Sequence, residues 1–414
     1  MDALTDPPSC LLHLGVQDGC ADPTGYRERS ARMTRMAIDF ARSDRSTLGI
    51  EWELALVDRD TGDLVSAAPE VLATTEVVTD DGAERLTSEL LTNTVEIVTG
   101  VNRTVAEGVA DLQRTVEQVR RTTDPMGLEL IGSGTHPFAR WQDQQVTDKE
   151  RYVTLMDRTG VWGRQLLIWG VHMHVGLDSP AKALPVLEAL LVYYPHLQAL
   201  SASSPFVFGE SSGYASSRAM LFQQLPTAGL PPELESWRQY ESIVEDLIKV
   251  GVIDHWDEIR WDVRPSAKWG TVETRVCDGL PTTFEIGALS ALVQCIVDDC
   301  SARLDAGETL PTLPHWFVRE NKWRAARYGM DAEIVVDRDG TQEQVVDAIR
   351  ALVARLEPVA ERLGCSQELH DVLAIIDVGA SYERQALASA RAGGDLRAVV
   401  SSLIREMREG VPLR

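Results

Sequence analysis

No stretch of this sequence approaches the roughly 18 uninterrupted apolar residues that a membrane-spanning helix needs. Its opening, Met1-Asp2-Ala3-Leu4-Thr5-Asp6-Pro7-Pro8, lacks the basic segment and long apolar run of a secretory signal, and Cys10-Leu11-Leu12 is too short to replace it. A cytoplasmic protein with no membrane partner is therefore expected. Cysteine is sparse: Cys10, Cys20, Cys277, Cys295, Cys300 and Cys365 stand apart, with no Cys-x-x-Cys pair and no zinc-ribbon spacing, so reduced thiols are expected. Positive charge is also short. Forty Lys and Arg against 63 Asp and Glu give a formal charge of −23. Affinity for phosphate backbones comes largely from Lys and Arg, so nucleic acid is not an expected partner. Nor is there a Gly-x-x-x-x-Gly-Lys-Ser/Thr loop, so any nucleotide must be held by the sheet rather than by a P-loop helix.

What remains is an ordinary globular composition, 44% hydrophobic and 25% charged over 414 residues, long enough for one large domain or a catalytic domain with a helical appendage. Residues 1–45 read as an irregular leader, and 46–414 as a single domain whose portion from about 284 to 414 is largely helical. Alternation predicts a strand over Leu48–Val57, with a hairpin-like turn at Asp58–Asp63. Further strands are expected within Arg85–Thr99, Leu128–Gly134, Trp169–Leu177, Glu258–Arg264 and Gly270–Cys277. Helical spacing marks Val105–Val119, a long helix over Pro180–Leu200, and segments near 284–304, 341–363, 380–392 and 394–409. The fold class is α+β: an antiparallel sheet with helices on one face, leaving the other free to be a site.

Four elements put charged or imidazole groups on that sheet. Glu51 and Glu53 lie two apart on a strand, so both carboxylates face one side while Trp52 and Leu54 face the other; a solvated strand face would carry the same pattern. Glu89 and Glu96 are seven apart and would point to opposite faces of a straight strand. They converge only if Thr92-Asn93-Thr94 bends, the alternative being two unrelated surface carboxylates. In Gly170-Val171-His172-Met173-His174-Val175-Gly176 both imidazoles share a face, as metal ligands or as half-buried strand histidines. In the run from Arg260 to Arg275, Glu273 and Arg275 share a face, either as a cation ligand beside a phosphate donor or as a plain surface ion pair, and Arg264 and Lys268 enlarge the positive patch.

Taken together, mostly oxygen ligands suit magnesium or manganese better than zinc, and cations beside them suit a polyphosphate. An acid could then attack the γ-phosphate of ATP to give an acyl phosphate, which an amine would convert to an amide. Two other chemistries fit less of the pattern: a hydrolase with zinc on His172, His174 and a carboxylate, and a guanidino-type phosphotransferase on the same sheet. A non-catalytic binding protein is a third alternative.

The ordered set Gly-Ile-Glu-Trp-Glu, Glu89/Glu96, Gly-Val-His-Met-His-Val-Gly, Trp-Asp-Val-Arg-Pro, Thr-Val-Glu-Thr-Arg-Val-Cys-Asp and Glu320-Asn321-Lys322-Trp323-Arg324-Ala325-Ala326-Arg327 resembles the carboxylate-amine ligase branch of the type 2 glutamate-cysteine ligase family. The likeness runs from about Leu48 to the C-terminus. It implies a glutamine-synthetase-like catalytic sheet, ATP with Mg2+ or Mn2+, and small-molecule carboxylate and amine substrates. It also implies metal ligands at Glu51, Glu53, Glu89, Glu96, His172 and Glu273, with Arg275 on ATP phosphate and Arg264 beside it. His174 and Lys268 would line the nucleotide or substrate region, and Arg218 would meet a substrate carboxylate. Asn321, Lys322, Arg324 and Arg327 would complete the site, although a plain amphipathic helix with basic residues accounts for them equally. A homodimer through the helical remainder is expected.

Overall fold

The computed structural model describes residues 36–79 and 84–414; most of the expected leader, with Cys10 and Cys20, lies outside the described residues. Residues Ile38–Arg414 make one compact unit. From Ile38 to Arg45 the chain has no regular structure but is tied down. Ala41 N–H donates to the carbonyl of Ala267 at 2.8 Å, and Arg45 pairs with Asp298 and Asp305, both at 2.9 Å.

The strands among the described residues are, in chain order, β1 (Leu48–Asp58), β2 (Leu86–Ser88), β3 (Thr94–Val98), β4 (Leu128–Ile131), β5 (Gly170–Gly176), β6 (Phe206–Val207), β7 (Glu210–Ser211), β8 (Val263–Ser266), β9 (Thr271–Asp278), β10 (Glu333–Val335) and β11 (Gln342–Gln344). The main sheet runs β2-β3-β1-β5-β9-β8, antiparallel throughout, with β4 also on β1; β6-β7 and β10-β11 are small separate hairpins. β1 is the spine. Ala55 pairs with Thr94 of β3 and with Ile131 of β4, so β4 continues the edge that β5 occupies along the first half of β1. Asp58–Asp63 does turn, but only a single bridge, Val57 to Leu64, follows it. The true partners of β1 come from far along the chain.

The helices are α1 (Ala68–Thr74), α2 (Val105–Thr123), α3 (Glu150–Thr159), α4 (Val161–Arg164), α5 (Ala183–Val192), α6 (Tyr194–Ser201), α7 (Ser217–Phe222), α8 (Trp237–Lys249), α9 (Thr283–Asp305), α10 (His315–Tyr328), α11 (Val345–Leu363), α12 (Ser366–Val378), α13 (Ser381–Arg391) and α14 (Leu396–Glu409). A Thr104/Glu107 capping box starts α2. The continuous helix expected over Pro180–Leu200 is instead a 3-10 turn followed by α5 and α6. Pro195 in the first turn of α6 has no N–H to continue the ladder of α5. The strand expected from Glu258 begins only at Val263, because Glu258 Oε1 accepts from the N–H groups of Asp254 and His255 at 3.0 and 2.9 Å and ties that stretch into a 3-10 turn. α8, like α3, lies where no helix is expected, whereas α12 falls between the marked segments of the portion expected to be largely helical.

One face of the sheet, carrying Leu48, Ile50, Trp52, Leu54 and Leu56 of β1 and Val171, Met173 and Val175 of β5, is sealed in the main core against α2, α5, α6 and α9. α9 sits inside this packing and is buried on nearly every side for its first five turns. Among the described residues no helix is long and apolar enough to cross a membrane.

Trp52 is the largest test of that layer: fully buried, with its indole N–H on the carbonyl of Leu280 at 3.1 Å. Trp52→Ala should cost about 3–5 kcal/mol, read as a lower denaturant midpoint. A midpoint within error of the parent would mean that this face is not the core.

Candidate active site

The other face of the sheet holds the charges, and antiparallel register decides which of them meet. Glu51 stands across from His172, Glu53 from Glu96, and His174 from Glu273, which in turn stands across from Arg264. Arg275 lies two residues from Glu273, on the same face. Glu89 follows the end of β2, and the turn at Thr92-Asn93 that the Glu89/Glu96 spacing required is present.

Glu51 binds both imidazoles: Oε2 lies 3.0 Å from His172 Nδ1 and Oε1 lies 3.1 Å from His174 Nε2. Burial pushes its carboxyl up, but the hydrogen bonds and charges of His172 and His174 outweigh that and hold it well below the usual range. Burial, with Arg275 beside it, keeps His172 neutral, its pKa lowered to about 4. His174 is raised instead, since the charges of Glu273 and Glu51 overcome its burial; its Nδ1 meets Thr271 Oγ1 at 3.0 Å.

Glu273 is fully buried. Arg264 grips it through Nε at 2.6 Å and Nη2 at 3.2 Å, and Arg275 Nη1 adds a third bond at 2.6 Å. Burial opposes the charge, yet Arg264, then His174 and Arg275, hold the carboxyl far below its ordinary value. Arg264 is fixed in turn by the carbonyls of Asp257 and Ile259.

The second carboxylate group is balanced differently. Glu53, Glu89 and Glu96 form no salt bridge among the described residues, and no hydrogen bond to the Glu96 carboxylate is found there. Glu53 accepts from Gly170 N–H at 2.6 Å and Glu89 from Leu90 N–H at 3.0 Å. Burial first, then Glu89, raises Glu53 to about 7. Burial followed by Glu89, Glu51 and Glu53 pushes Glu96 well above the carboxylate range. Direct cross-strand like charges destabilise a sheet, so this arrangement wants a cation. Two ligand sets with atoms within 4.8 Å of one another exist, Glu51-His172-Glu273 and Glu53-Glu96-His172. They share His172, whose Nε2 is buried without a partner. Carboxylate oxygens with a single imidazole fit magnesium or manganese.

Two clefts flank this row. One, with a cavity volume of about 140 Å³, has Glu53, Glu89, His172, Arg218, Arg260 and Arg275 as its charged lining. Arg218 is 3% exposed and its Nε has no partner; neither it nor Arg260 makes an ion pair among the described residues. Arg218 lies against β5 because position 170 is glycine: a Cβ there would fall 2.2 Å from Arg218 Nη2. The second cleft, with a cavity volume of about 250 Å³, carries Glu51, His174, Arg264 and Lys268, with Tyr240, Trp256 and Trp269 as flat walls. Lys268 Nζ stands 4.6 Å over the Trp269 ring.

Eleven residues singled out in the sequence, Glu89 among them, therefore meet on one face or line its clefts. The four on α10 do not. Asn321 clamps Val335 through both backbone groups at 2.7 and 2.8 Å, and Lys322 is buried on Asp262 at 2.6 Å. Arg324 serves Glu320 and the Glu333 carbonyl, while Arg327 reaches the Gly213 carbonyl. All four are occupied in packing α10 onto its neighbours. Conversely, Arg260, Arg151 and the aromatic walls carry no sequence signal beyond the nearness of Arg260 to Arg264.

The family profile described as "Glutamate-cysteine ligase family 2(GCS2)" matches residues 47–402. A relative from Clavibacter michiganensis subsp. michiganensis is 56% identical over 379 residues, covering 91% of this chain and 98% of its own. One from Mycobacterium tuberculosis is 53% identical over 377 residues, covering 91% and 99%. Both are named "Putative glutamate--cysteine ligase 2". The solved glutamate-cysteine ligase of Francisella tularensis, in complex with AMP, superposes with a TM-score of 0.59 at 15% identity over 90% of this chain and 94% of its own. A bifunctional glutathione synthetase from Pasteurella multocida gives the same TM-score and identity over 88% and 52%. These two likenesses show a shared fold.

If crowding of like charge is what a cation relieves, Glu96→Gln in chelator at pH 8 should melt about 2 °C above the parent. Magnesium should then raise the parent more than the variant. A variant that melts lower in chelator would show that Glu96 is not under repulsion.

Proposed function

The chain belongs to glutamate-cysteine ligase family 2 and is an ATP-dependent carbon–nitrogen ligase, and from that premise we propose how its site works and what it holds. The observation that carries the reading is the division of cations between two clefts joined at Glu51, His172 and Glu273. The aromatic cleft suits a nucleotide, with the base on Trp256, Trp269 or Tyr240 and the phosphates led by Lys268 and Arg264 toward the row of carboxylates. The other cleft takes the acid, one carboxylate of which meets Arg218, a buried guanidinium with a free donor.

The reacting carboxylate attacks the γ-phosphorus of ATP, forming a carbon-bearing O–P bond while the β,γ-bridge breaks and ADP leaves. A neutral amine then adds to the acyl carbonyl, the C–O bond to phosphate breaks, and an amide, inorganic phosphate and a proton result. Arg275 stands at the junction, held by Glu273, where negative charge grows on the transferring phosphoryl oxygens. Its position is preorganised, since both Glu273 oxygens are already engaged by Arg264 and Arg275. Glu51, Glu53, Glu89, Glu96, His172 and Glu273 would hold Mg2+ or Mn2+. When bound, those ions would neutralise phosphate oxygens and orient the nucleotide. His174, kept by Glu51 and Thr271, positions Glu51 for that role. Gly170 lets Arg218 and the Glu53 carboxylate approach the same backbone position.

The family's printed names make glutamate and cysteine the first pair to try; this reading names an acid, an amine and ATP as partners, in the cytoplasm, with a homodimer through the helical remainder. Residues 1–45 as a leader and 46–414 as one catalytic domain belong to the same reading.

Purified protein with ATP, magnesium and panels of acids and amines, including glutamate with cysteine, should release ADP and phosphate in step with a mass-detected amide. Arg275→Ala should lower kcat by about 10²–10³. Arg218→Gln should raise KM for the acid at least about tenfold while leaving KM for ATP within about threefold. ATP that fails to bind with magnesium or manganese, or stable phosphorylated product without amide, would sink the reading.

A further inference from the structure

The cleft that carries Arg218, Arg260 and Arg275 has two unlike kinds of lining. Beside the cations, Leu90, Leu155, Leu166, Ile168, Phe222 and Leu225 supply an apolar wall. Leu166, Phe222 and Leu225 form a small apolar cluster of their own, separate from the main core, with Leu90, Leu155 and Ile168 packed against it. Phe222 is the seam. Arg218 and Arg275 lie 5.4 and 6.0 Å over its ring, so the cationic lining passes into the apolar wall through one aromatic face.

A small polar amino acid would find little to bind there. Of the cleft's two hydroxyls, that of Thr94 is engaged on both sides, and that of Tyr152 accepts one bond and keeps its O–H to donate. Thr94 Oγ1 donates to Asn93 at 2.9 Å and accepts from the Trp169 indole at 2.7 Å, while Tyr152 Oη accepts from Arg151 at 2.5 Å. Glu53 and Glu89 are the remaining acceptors for an ammonium group, and both belong to the carboxylate cluster. The acid is served by the guanidiniums, which leaves the apolar wall for the nucleophile. Chemistry points the same way. Only the neutral amine attacks an acyl phosphate, and an apolar, water-poor surround disfavours the ammonium form.

Resting on the ligase reading above, we propose that the amine joined by this enzyme is a primary amine with an aliphatic or aromatic body that lies along the Leu155–Leu166–Ile168–Phe222–Leu225 wall, and not a small polar amino acid. The bond-forming step is unchanged: the amine nitrogen bonds to the acyl carbon, phosphate leaves with the electrons of the C–O bond, and the amine proton goes to solvent or phosphate.

The test is binding to the full chain loaded with magnesium and a non-hydrolysable ATP analogue. Isothermal titration would use primary amines from ethylamine to hexylamine, benzylamine and cysteine. Each methylene laid on the wall should tighten binding about threefold to fourfold, with benzylamine tighter than cysteine. Leu155→Asn and Phe222→Ser should flatten the series without changing affinity for the nucleotide analogue, and Leu155 is only partly buried, so that variant should fold. A flat series in the parent, or cysteine binding tighter than every alkylamine, overturns the inference. Failure of the nucleotide analogue to bind at all would instead overturn the ligase reading on which it rests.

Discussion

Glu273 is cut off from water, and its negative charge survives there because Arg264 and Arg275 meet both of its oxygens. A buried ion of this kind is costly to create and more costly to leave half paired. Everything around it follows from keeping the set complete. Arg264 is locked by carbonyls of the turn before β8, Arg275 is aimed along the sheet toward His172 at 3.4 Å, and His174 is drawn close to Glu273 at 3.8 Å. The balance at this end contrasts with Glu53, Glu89 and Glu96, which form no ion pair among the described residues and feel Arg275, Arg218 and Arg151 only at longer range. One half of the row is satisfied by the protein; the other is organised to be satisfied by something bound.

A period of two makes this possible. Alternate residues of β1, β5 and β9 supply apolar side chains to the core and ionisable ones to the opposite face, so the site stands directly on the best packed layer of the molecule. Rigidity is thereby transmitted from Trp52 and its neighbours to Glu51 and Glu53 without any loop between them. The clefts on either side are built less regularly, from α3, α7 and the turn before β8, and they carry the features that distinguish one substrate from another. The guanidiniums and the apolar side chains line one cleft together, and the aromatic side chains line the second.

Much of the site was legible because strand alternation and short spacings are local. Glu51 with Glu53, His172 with His174, and Glu273 with Arg275 each declare a shared face within three residues. The turn that brings Glu89 and Glu96 together was required by their odd separation. Helix α9 could be placed from its pattern to within a residue at either end. Local pattern failed where a backbone group or a distant partner decided the outcome. Pro195 broke an apparently continuous helix, Glu258 tied a presumed strand into a turn, and the basic face of α10 was consumed by Asp262, Val335, Glu333 and Gly213.

The sequence by itself determined which residues lie on which face of each strand, because that depends only on the pleat, and it determined an oxygen-rich, cation-flanked chemistry. Only the tertiary structure decided which strands became neighbours and in what register, since antiparallel pairing between β1, β3, β5 and β9 joins residues up to 127 positions apart, Leu48 with Val175 being the widest pair. That register sets Glu53 against Glu96, His174 against Glu273 and Glu273 against Arg264. It also frees Arg218 while occupying Lys322, a distinction of partners in space that no spacing along the chain encodes.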